Sequence, residues 1–299
     1  MRQKMARLSA GLFVCLAAAA HAEAPAVPVT SLERACELLG GRLQSVGVQN
    51  CLHAGLKAGT DASVRGQPIL YRDFVPRSLH APPHRILMLG GIHGDELTSV
   101  ALVFQWMKQL QQERFQPFHW RVIPCLNPDG LLSNPPVRVN ADGVDLNRNF
   151  PSRDWNGTAI SYWEKKARRD PRRYPGKAAL SEPESRALTE LIRTFKPEAI
   201  ISVHAPYDVL DFDGPRHPPK HFGFLNLHQL GTYPGSLGNY AGVDLGLPVI
   251  TLELPYAKIM PTPAQMQLIW EDMLTWLDKN LPKHEPPIYM RLGDQPWNE

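Results

Sequence analysis

The chain has 299 residues, 43% of them hydrophobic, and a formal net charge of +3 at neutral pH. That length and composition suit one large α/β domain. Beyond the N-terminus, no apolar run reaches the roughly 18 residues that a membrane helix needs, so no transmembrane segment is expected. The small net charge gives no argument for a nucleic-acid partner.

The first 22 residues look like a cleavable export signal. They combine a basic start, a short apolar segment and an A-x-A cleavage site, at Arg2, Lys4 and Arg7, at residues 8–20 and at Ala20-His21-Ala22. Cleavage removes those basic residues and no acidic ones, so the formal charge of +3 falls to zero. We therefore expect a periplasmic protein, and a lipoprotein anchor at Cys15 is the less favoured alternative.

Residues 23–60 are predicted to form a small helical appendage. Thr30-Ser31-Leu32-Glu33 has the T-x-x-E pattern of a capping box, and the helix that it opens is expected to end at Gly40-Gly41. Because exported chains can form disulfides, we expect Cys36 to pair with Cys51, with two free core cysteines as the alternative. Cys125 ends an apolar strand and is predicted to be a buried thiol.

Residues 61–281 alternate between predicted strands and helices, and a proline-rich tail follows at 282–299. Strands are expected at 85–89, 120–126, 199–203 and 248–254, and helices at 97–111, after the S-x-x-E pattern at 181–184 and after Thr262. β-Branched apolar strands are typical of a sheet that is buried on both faces. The predicted fold class is therefore α/β: a single domain with a central mixed, largely parallel sheet flanked by helices.

Polar side chains follow the ends of four of these strands: His93, Asn127, His204 and Glu253. In open α/β sheets, ligands bind outside the carboxyl ends of the strands. Catalytic zinc commonly takes two histidines and one glutamate, and His93 and Glu96 stand three residues apart at a strand-to-helix corner. That pair alone is also compatible with a solvated loop. With His204 as a distant third ligand and Glu253 as a base, the pattern predicts one hydrolytic metal site.

Two charged segments have alternative interpretations. The basic run at residues 165–173 is expected to be a solvated surface, or else a contact for an anionic glycan or a carboxylate-bearing polymer. Asp208, Asp211 and Asp213 follow His204 closely. They fit turn chemistry, and the functional alternative is an acidic wall that binds a substrate ammonium group.

Six short motifs, in the same order along residues 63–280, resemble those of the zinc carboxypeptidases of the carboxypeptidase A type. The matching motifs are H-G-D-E at 93–96, N-P-D-G at 127–130, G-V-D-L-N-R-N-F at 143–150, Y-P-G at 174–176 with S-E at 181–182, S-V-H at 202–204 and T-L-E-L at 251–254. Within that family, the segments at 138–143, 207–215 and 231–240 are similar to those of bacterial murein peptide amidases and D,L-carboxypeptidases.

This resemblance implies a role for each candidate residue. The implied zinc ligands are His93, Glu96 and His204, with one Zn²⁺ per chain; Glu253 is the base, Arg138 stabilises the oxyanion, and Asn147 and Arg148 hold a terminal carboxylate. Tyr240 takes the place of a mobile tyrosine, although its spacing from Glu253 is short for the family.

The function that this resemblance implies is hydrolysis of the γ-D-glutamyl-meso-diaminopimelate bond in peptidoglycan peptides (muropeptides), with release of diaminopimelate. One alternative is a zinc deacylase of small N-acyl amino acids, like aspartoacylase, and the N-P-D-G turn and Tyr240 favour the peptidase. Another is a catalytically silent module that binds cell-wall peptides. The presence of Glu253 together with all three ligands argues against a silent module.

Overall fold

The structure, a computed structural model, describes residues 29–76, 82–113 and 117–282. The expected signal segment at 1–22 and nearly all of the expected tail lie outside these ranges. The helices are α1 (Leu32–Arg42), α2 (Val48–His53), α3 (Leu97–Gln112), α4 (Pro128–Leu132), α5 (Trp155–Lys165), α6 (Pro183–Phe195) and α7 (Pro263–Asn280). The strands are β1 (Lys57–Ala62), β2 (Pro68–Phe74), β3 (His84–Gly90), β4 (Phe118–Ile123), β5 (Ala199–His204), β6 (Val209–Asp213), β7 (His221–Phe222), β8 (Leu225–Asn226) and β9 (Val249–Glu253).

A seven-stranded sheet in the order β1-β2-β4-β3-β5-β9-β6 forms the centre of the protein. The neighbours from β4 to β9 run parallel, whereas β1, β2 and β6 join antiparallel at the two sides. The predicted α/β class with a mixed, largely parallel sheet is therefore confirmed. Because β3, β4, β5 and β9 point the same way, their carboxyl ends meet at one edge of the sheet.

Apolar side chains alternate between the two faces of this sheet, as strand geometry requires. On β3, Ile86 and Met88 join the core below α3 and α7, while Leu87 and Leu89 face the core beneath α6. The first core contains Trp270 of α7, whose ring stacks on Trp120 of β4 at 5.5 Å. Both faces are covered, so functional groups can collect only at the edges. None of the described helices combines the length and the apolar character needed to span a bilayer.

The N-terminal helices α1 and α2 pack on the first of these cores. A disulfide joins Cys36 to Cys51, with 5.4 Å between their Cα atoms, and Cys125 is a buried free thiol. The buried faces of both helices belong to the same apolar core as α3. The appendage boundary expected at residue 60 lies inside β1, and the division of the chain there stays a prediction.

Helix starts show where sequence patterns mislead. The α7 capping box forms as expected between Thr262 and Gln265. The box expected at Thr30 is wrong by one residue: Ser31 caps α1 by accepting from the Arg34 amide, while the Thr30 hydroxyl accepts from Gln67. The box expected at 181–184 is also wrong. There Ser181 Oγ donates to the Glu182 carboxylate, and no side chain caps α6.

Candidate metal centre

The ends of β3 and β5 bring three potential ligands together. After β3 the chain turns at Gly91, whose positive φ of 62° suits glycine, and His93 follows at once. Glu96 lies at the start of α3, and His204 is the last residue of the adjacent strand β5. These three residues were predicted from patterns far apart in the sequence, and parallel pairing of β3 with β5 places them side by side.

The donor atoms of these residues converge on one point. One atom each from His93, Glu96 and His204 lies within 4.8 Å of the others, and all three residues are buried. His93 Nδ1 lies 2.7 Å from Glu96 Oε1, and His204 Nδ1 lies 3.0 Å from Glu96 Oε2. The two histidine Nδ1 atoms are 3.2 Å apart. Two histidines and one carboxylate aimed at a common centre form a donor set that suits zinc.

The far sides of both imidazoles have partners of their own. His93 Nε2 lies 3.2 Å from Asp145 Oδ1, and His204 Nε2 lies 3.0 Å from Ser202 Oγ. If both Nε2 atoms carry a proton, both Nδ1 lone pairs face the shared centre. Histidine ligands in metal proteins are commonly oriented in this way by a carboxylate or another acceptor. The arrangement therefore fits a resident metal ion.

Asp145 is the residue that the sequence prediction missed. It is fully buried, contacts His93, and accepts hydrogen bonds from Arg138 Nε and Nη2, each at 3.1 Å. Burial acts to raise the pKa of this carboxyl, but the charges of Arg138 and His93 outweigh that effect and hold it below its usual range. Its position inside the 143–150 motif was the available signal. Nothing in the sequence distinguished it from the other aspartates there.

Arg138 reaches the metal centre by way of this ion pair. Its Nη1 lies 3.6 Å from Glu96 Oε1, and its side chain lines the cavity above the three ligands. Burial acts to raise the pKa of Glu96, but the charges of His93 and His204 outweigh that effect and hold the pKa below its usual range. Glu96 is therefore a carboxylate.

Asn127 connects the loops around the centre. Its Nδ2 donates to the carbonyl groups of Ile92 and Arg138, while its Oδ1 accepts from the Gly130 amide at 2.9 Å. Gly94 packs so closely on this turn that a Cβ there would lie 2.2 Å from the Gly130 carbonyl carbon. The N-P-D-G turn thus fixes the positions of His93 and Arg138 from behind.

Glu253 ends β9 directly beside His204, as the register of β5 and β9 shows. It is only 7% exposed, it lines the same cavity, and its Oε2 has no hydrogen-bond partner among the described residues. Burial raises its pKa, with His204 opposing and Glu96 adding to the rise. A carboxylate with a raised pKa is a stronger proton acceptor, which suits a general base.

A cavity of about 380 Å³ opens over these residues. Asn147 and Arg148, predicted to hold a carboxylate, both line it. Arg148 is 7% exposed, and its Nε has no partner among the residues that the structure describes. The Tyr233 ring covers the guanidinium group, with 4.3 Å between Arg148 Cζ and the ring centroid. A buried cation with a free donor at a cavity wall is suited to bind a carboxylate.

Tyr240, predicted to bind substrate, packs against the second apolar core. It belongs to a π-helical segment, Gly238–Asp244, and its ring stacks on Phe150 with 6.4 Å between centroids. The side chain packs on the second apolar core and does not line the cavity. Its assignment to substrate binding stays a prediction, and the tyrosines on the cavity wall are Tyr207 and Tyr233.

The two charged segments divide between the cavity and the surface. Arg172 and Arg173 of the basic run reach the rim, where Arg172 Nη2 donates to Asp95 Oδ2 at 2.8 Å. Asp211 and Asp213 line the cavity, whereas Asp208 is exposed and lies outside its lining. Part of each segment therefore belongs to the candidate site.

Comparison with known proteins agrees with this geometry. A family model described as zinc carboxypeptidase matches residues 61–214. Murein peptide amidase A of Escherichia coli strain K12 is 32% identical over 203 residues, which is 65% of this chain and 81% of that protein. The chain belongs to the zinc carboxypeptidase family, and it is a zinc metallopeptidase.

Solved structures give the same result for the fold. The murein-tripeptide amidase from Escherichia coli O157 matches with a TM-score of 0.54 at 29% identity, over 77% of this chain and 94% of that one. Bovine thrombin-activatable fibrinolysis inhibitor matches with a TM-score of 0.56 at 18% identity, over 82% and 94% of the two chains. The second likeness concerns the fold alone.

Proposed function

We propose that this protein is a zinc-dependent peptidase of peptidoglycan peptides that hydrolyses the γ-D-glutamyl-meso-diaminopimelate bond and releases C-terminal diaminopimelate. The observation that carries the proposal is the convergence of His93, Glu96 and His204 beside the unpartnered Glu253 in one cavity. Similarity to murein peptide amidase A supports the substrate class.

His93, Glu96 and His204 would hold one Zn²⁺, which when bound supplies the Lewis acidity that activates water and polarises a carbonyl group. Glu253 accepts the proton of the attacking water and later passes it to the leaving amine. Arg138 faces the cavity beside Glu96 and stabilises negative charge on the carbonyl oxygen. Asp145 keeps both Arg138 and His93 in position.

Asn147 and Arg148 would make the enzyme act at a chain end. Arg148 offers a buried guanidinium group at the cavity wall, where a planar carboxylate can accept two hydrogen bonds. Asn147 is held next to it, because its Oδ1 accepts from the Leu237 amide at 2.8 Å. A free C-terminal carboxylate is therefore the group that places the last peptide bond over the metal centre.

Export to the periplasm forms part of the proposal. The basic and apolar segments of residues 1–22 support a cleavable signal. Peptidoglycan peptides occur in that compartment, and the Cys36–Cys51 disulfide is compatible with its oxidising conditions.

The test is a digest of purified disaccharide tripeptide, analysed by mass spectrometry, with the metal content of the protein measured in parallel. We expect release of diaminopimelate that stops after treatment with a chelator and returns with about one equivalent of zinc. Cleavage of N-acyl amino acids but not of peptides would refute the substrate assignment. Full activity without bound metal would refute the mechanism.

A further inference from the structure

Strand β6 places two acidic side chains on the wall of the cavity. Asp211 and Asp213 are two residues apart, so they project from the same face of the strand, and both line the cavity. Asp211 is buried, and its Oδ1 accepts from the Leu230 amide at 3.0 Å. The carboxylate of Asp213 accepts no hydrogen bond and forms no ion pair with any residue that the structure describes.

His228 and His204 oppose the rise in the pKa of Asp211, whereas no positive group among the described residues acts on Asp213. Burial, reinforced by the negative charge of Asp211, raises the pKa of Asp213 to about 7. Placing two carboxylates together away from water is unfavourable unless a positive group offsets them. A cation that enters the cavity would offset the repulsion between the two carboxylates.

The pair lies close to the proposed carboxylate receptor. Asn147 Oδ1 accepts from the Leu237 amide, and the next residue, Gly238, packs directly on Asp213. A Cβ at Gly238 would lie 1.9 Å from Asp213 Oδ2, so the glycine leaves the space that this carboxylate occupies. Two consecutive residues therefore connect the side chains of Asn147 and Asp213.

A second observation shows that the same cavity is built for a charged ligand. Arg148 Nε is a buried donor without a partner among the described residues, and it belongs to the cavity wall. The wall thus carries a positive group that can bind an anion, Arg148, and two acidic groups that can bind a cation, Asp211 and Asp213. Such a wall matches a small molecule that has a carboxylate and an ammonium group at separate positions.

We propose that Asp213, together with Asp211, binds an ammonium group on the side chain of the residue that the enzyme releases, while Arg148 and Asn147 bind that residue's carboxylate. The inference rests on the proposed function and assigns its specificity: the released residue is a diamino acid. Asp213 is then a specificity-determining residue that acts away from the scissile bond.

The experiment compares two tripeptide substrates that differ in one amine. One ends in meso-diaminopimelate, and the other ends in 2-aminopimelate, which keeps the side-chain carboxylate but lacks the side-chain amine. With the zinc-loaded full chain, we expect kcat/KM to favour the amine-bearing substrate by about 10- to 100-fold, the range for a hydrogen bond to a charged group.

Asp213→Asn should remove most of this preference. The amide keeps the size of the side chain, so kcat/KM should fall for the amine-bearing substrate and stay within about threefold for the other. Asp208→Asn is the matched control, because Asp208 is exposed and lies outside the cavity lining. That variant should keep the full preference.

The outcomes separate this inference from the proposed function. An undiminished preference in Asp213→Asn, or an equal loss on both substrates with zinc retained, overturns the ammonium assignment while the peptidase activity stands. If neither peptide is hydrolysed by the wild type in a zinc-dependent way, the proposed function fails. In that case, calorimetry measures the binding of free meso-diaminopimelate and free 2-aminopimelate to the zinc-loaded protein and tests the ammonium assignment without turnover. Equal affinity for the two amino acids overturns the assignment.

Discussion

The loop at residues 138–149 contributes residues to two polar clusters. A buried glutamate has a lowered pKa in one cluster and a raised pKa in the other. The metal cluster consists of His93, Glu96, Arg138, Asp145 and His204. The support cluster consists of Asp129, Asn140, Glu182 and Glu184, together with the Ser63 hydroxyl that donates to Asp129. Both clusters are shielded from solvent.

Glu96 in the metal cluster and Glu184 in the support cluster differ in pKa because their partners differ. In the metal cluster, histidines lie beside Glu96, and their charges overcome burial and lower its pKa. In the support cluster, Glu184 accepts from the neutral amides of Asn140 and Val64. Burial therefore dominates there and raises the pKa of Glu184 to about 7.

The comparison shows that burial alone does not decide whether a carboxylate is charged. Nearby positive charge keeps Glu96 ionised, as a carboxylate ligand must be. In the support cluster, the neutral donors Asn140 and Val64 lower the pKa of Glu184 by less than burial raises it. We therefore expect substitutions in or beside the metal cluster to change activity and zinc binding, and substitutions in the support cluster to change stability and its pH dependence.

The largest effect is expected from Glu253→Gln beside the metal cluster. Loss of the base should lower kcat by about 100- to 10,000-fold, while all three proposed ligands remain and zinc content stays the same. Glu271→Gln on the exposed side of α7 is the control and should keep full activity. Unchanged turnover in Glu253→Gln would remove this residue from the mechanism.

A smaller effect is expected from Asp145→Asn. It removes the carboxylate that orients His93, and zinc affinity should fall by about 10- to 100-fold in a chelator competition assay. Because Arg138 loses its ion-pair partner, the free energy of unfolding should also fall, by about 3 kcal/mol. Asp142→Asn, exposed on the same loop, should change neither quantity. Equal zinc affinity in the two variants would contradict the orienting role.

The smallest effect is expected from Glu184→Gln in the support cluster. Since the folded-state pKa of Glu184, about 7, lies above the ordinary glutamate value of 4.5, its protonation stabilises the fold fully below about pH 4.5. This contribution is lost as the pH rises through 7. Urea unfolding should therefore show Glu184→Gln gaining stability relative to the wild type between pH 5 and pH 8, with zinc affinity unchanged.

Glu190→Gln, exposed on the same helix, provides the control and should follow the pH dependence of the wild type. If the difference in unfolding free energy between Glu184→Gln and the wild type is the same at both pH values, Glu184 does not titrate as inferred. A change in zinc affinity would show that the two clusters are not independent.

The sequence by itself determined the elements and most of the metal centre. Apolar runs predicted β3, β4, β5 and β9, and the rule that parallel strands end at one edge predicted that His93, His204 and Glu253 lie together. The strands and the meeting of these side chains were predictable because each depends on local pattern and chain direction, and the roles of the side chains stay predictions. The T-x-x-E and S-x-x-E patterns failed because Thr30 and Ser181 form other contacts in the folded chain.

Only the tertiary structure decided the partners of the loop residues. Asp145 lies between His93 and Arg138, and the ring of Tyr240 packs on Phe150. Likewise, only the packing of β6 against Gly238 distinguishes Asp213 from the exposed Asp208. The physical reason is that a side chain's charge state and contacts depend on neighbours distant in sequence, which no local pattern specifies.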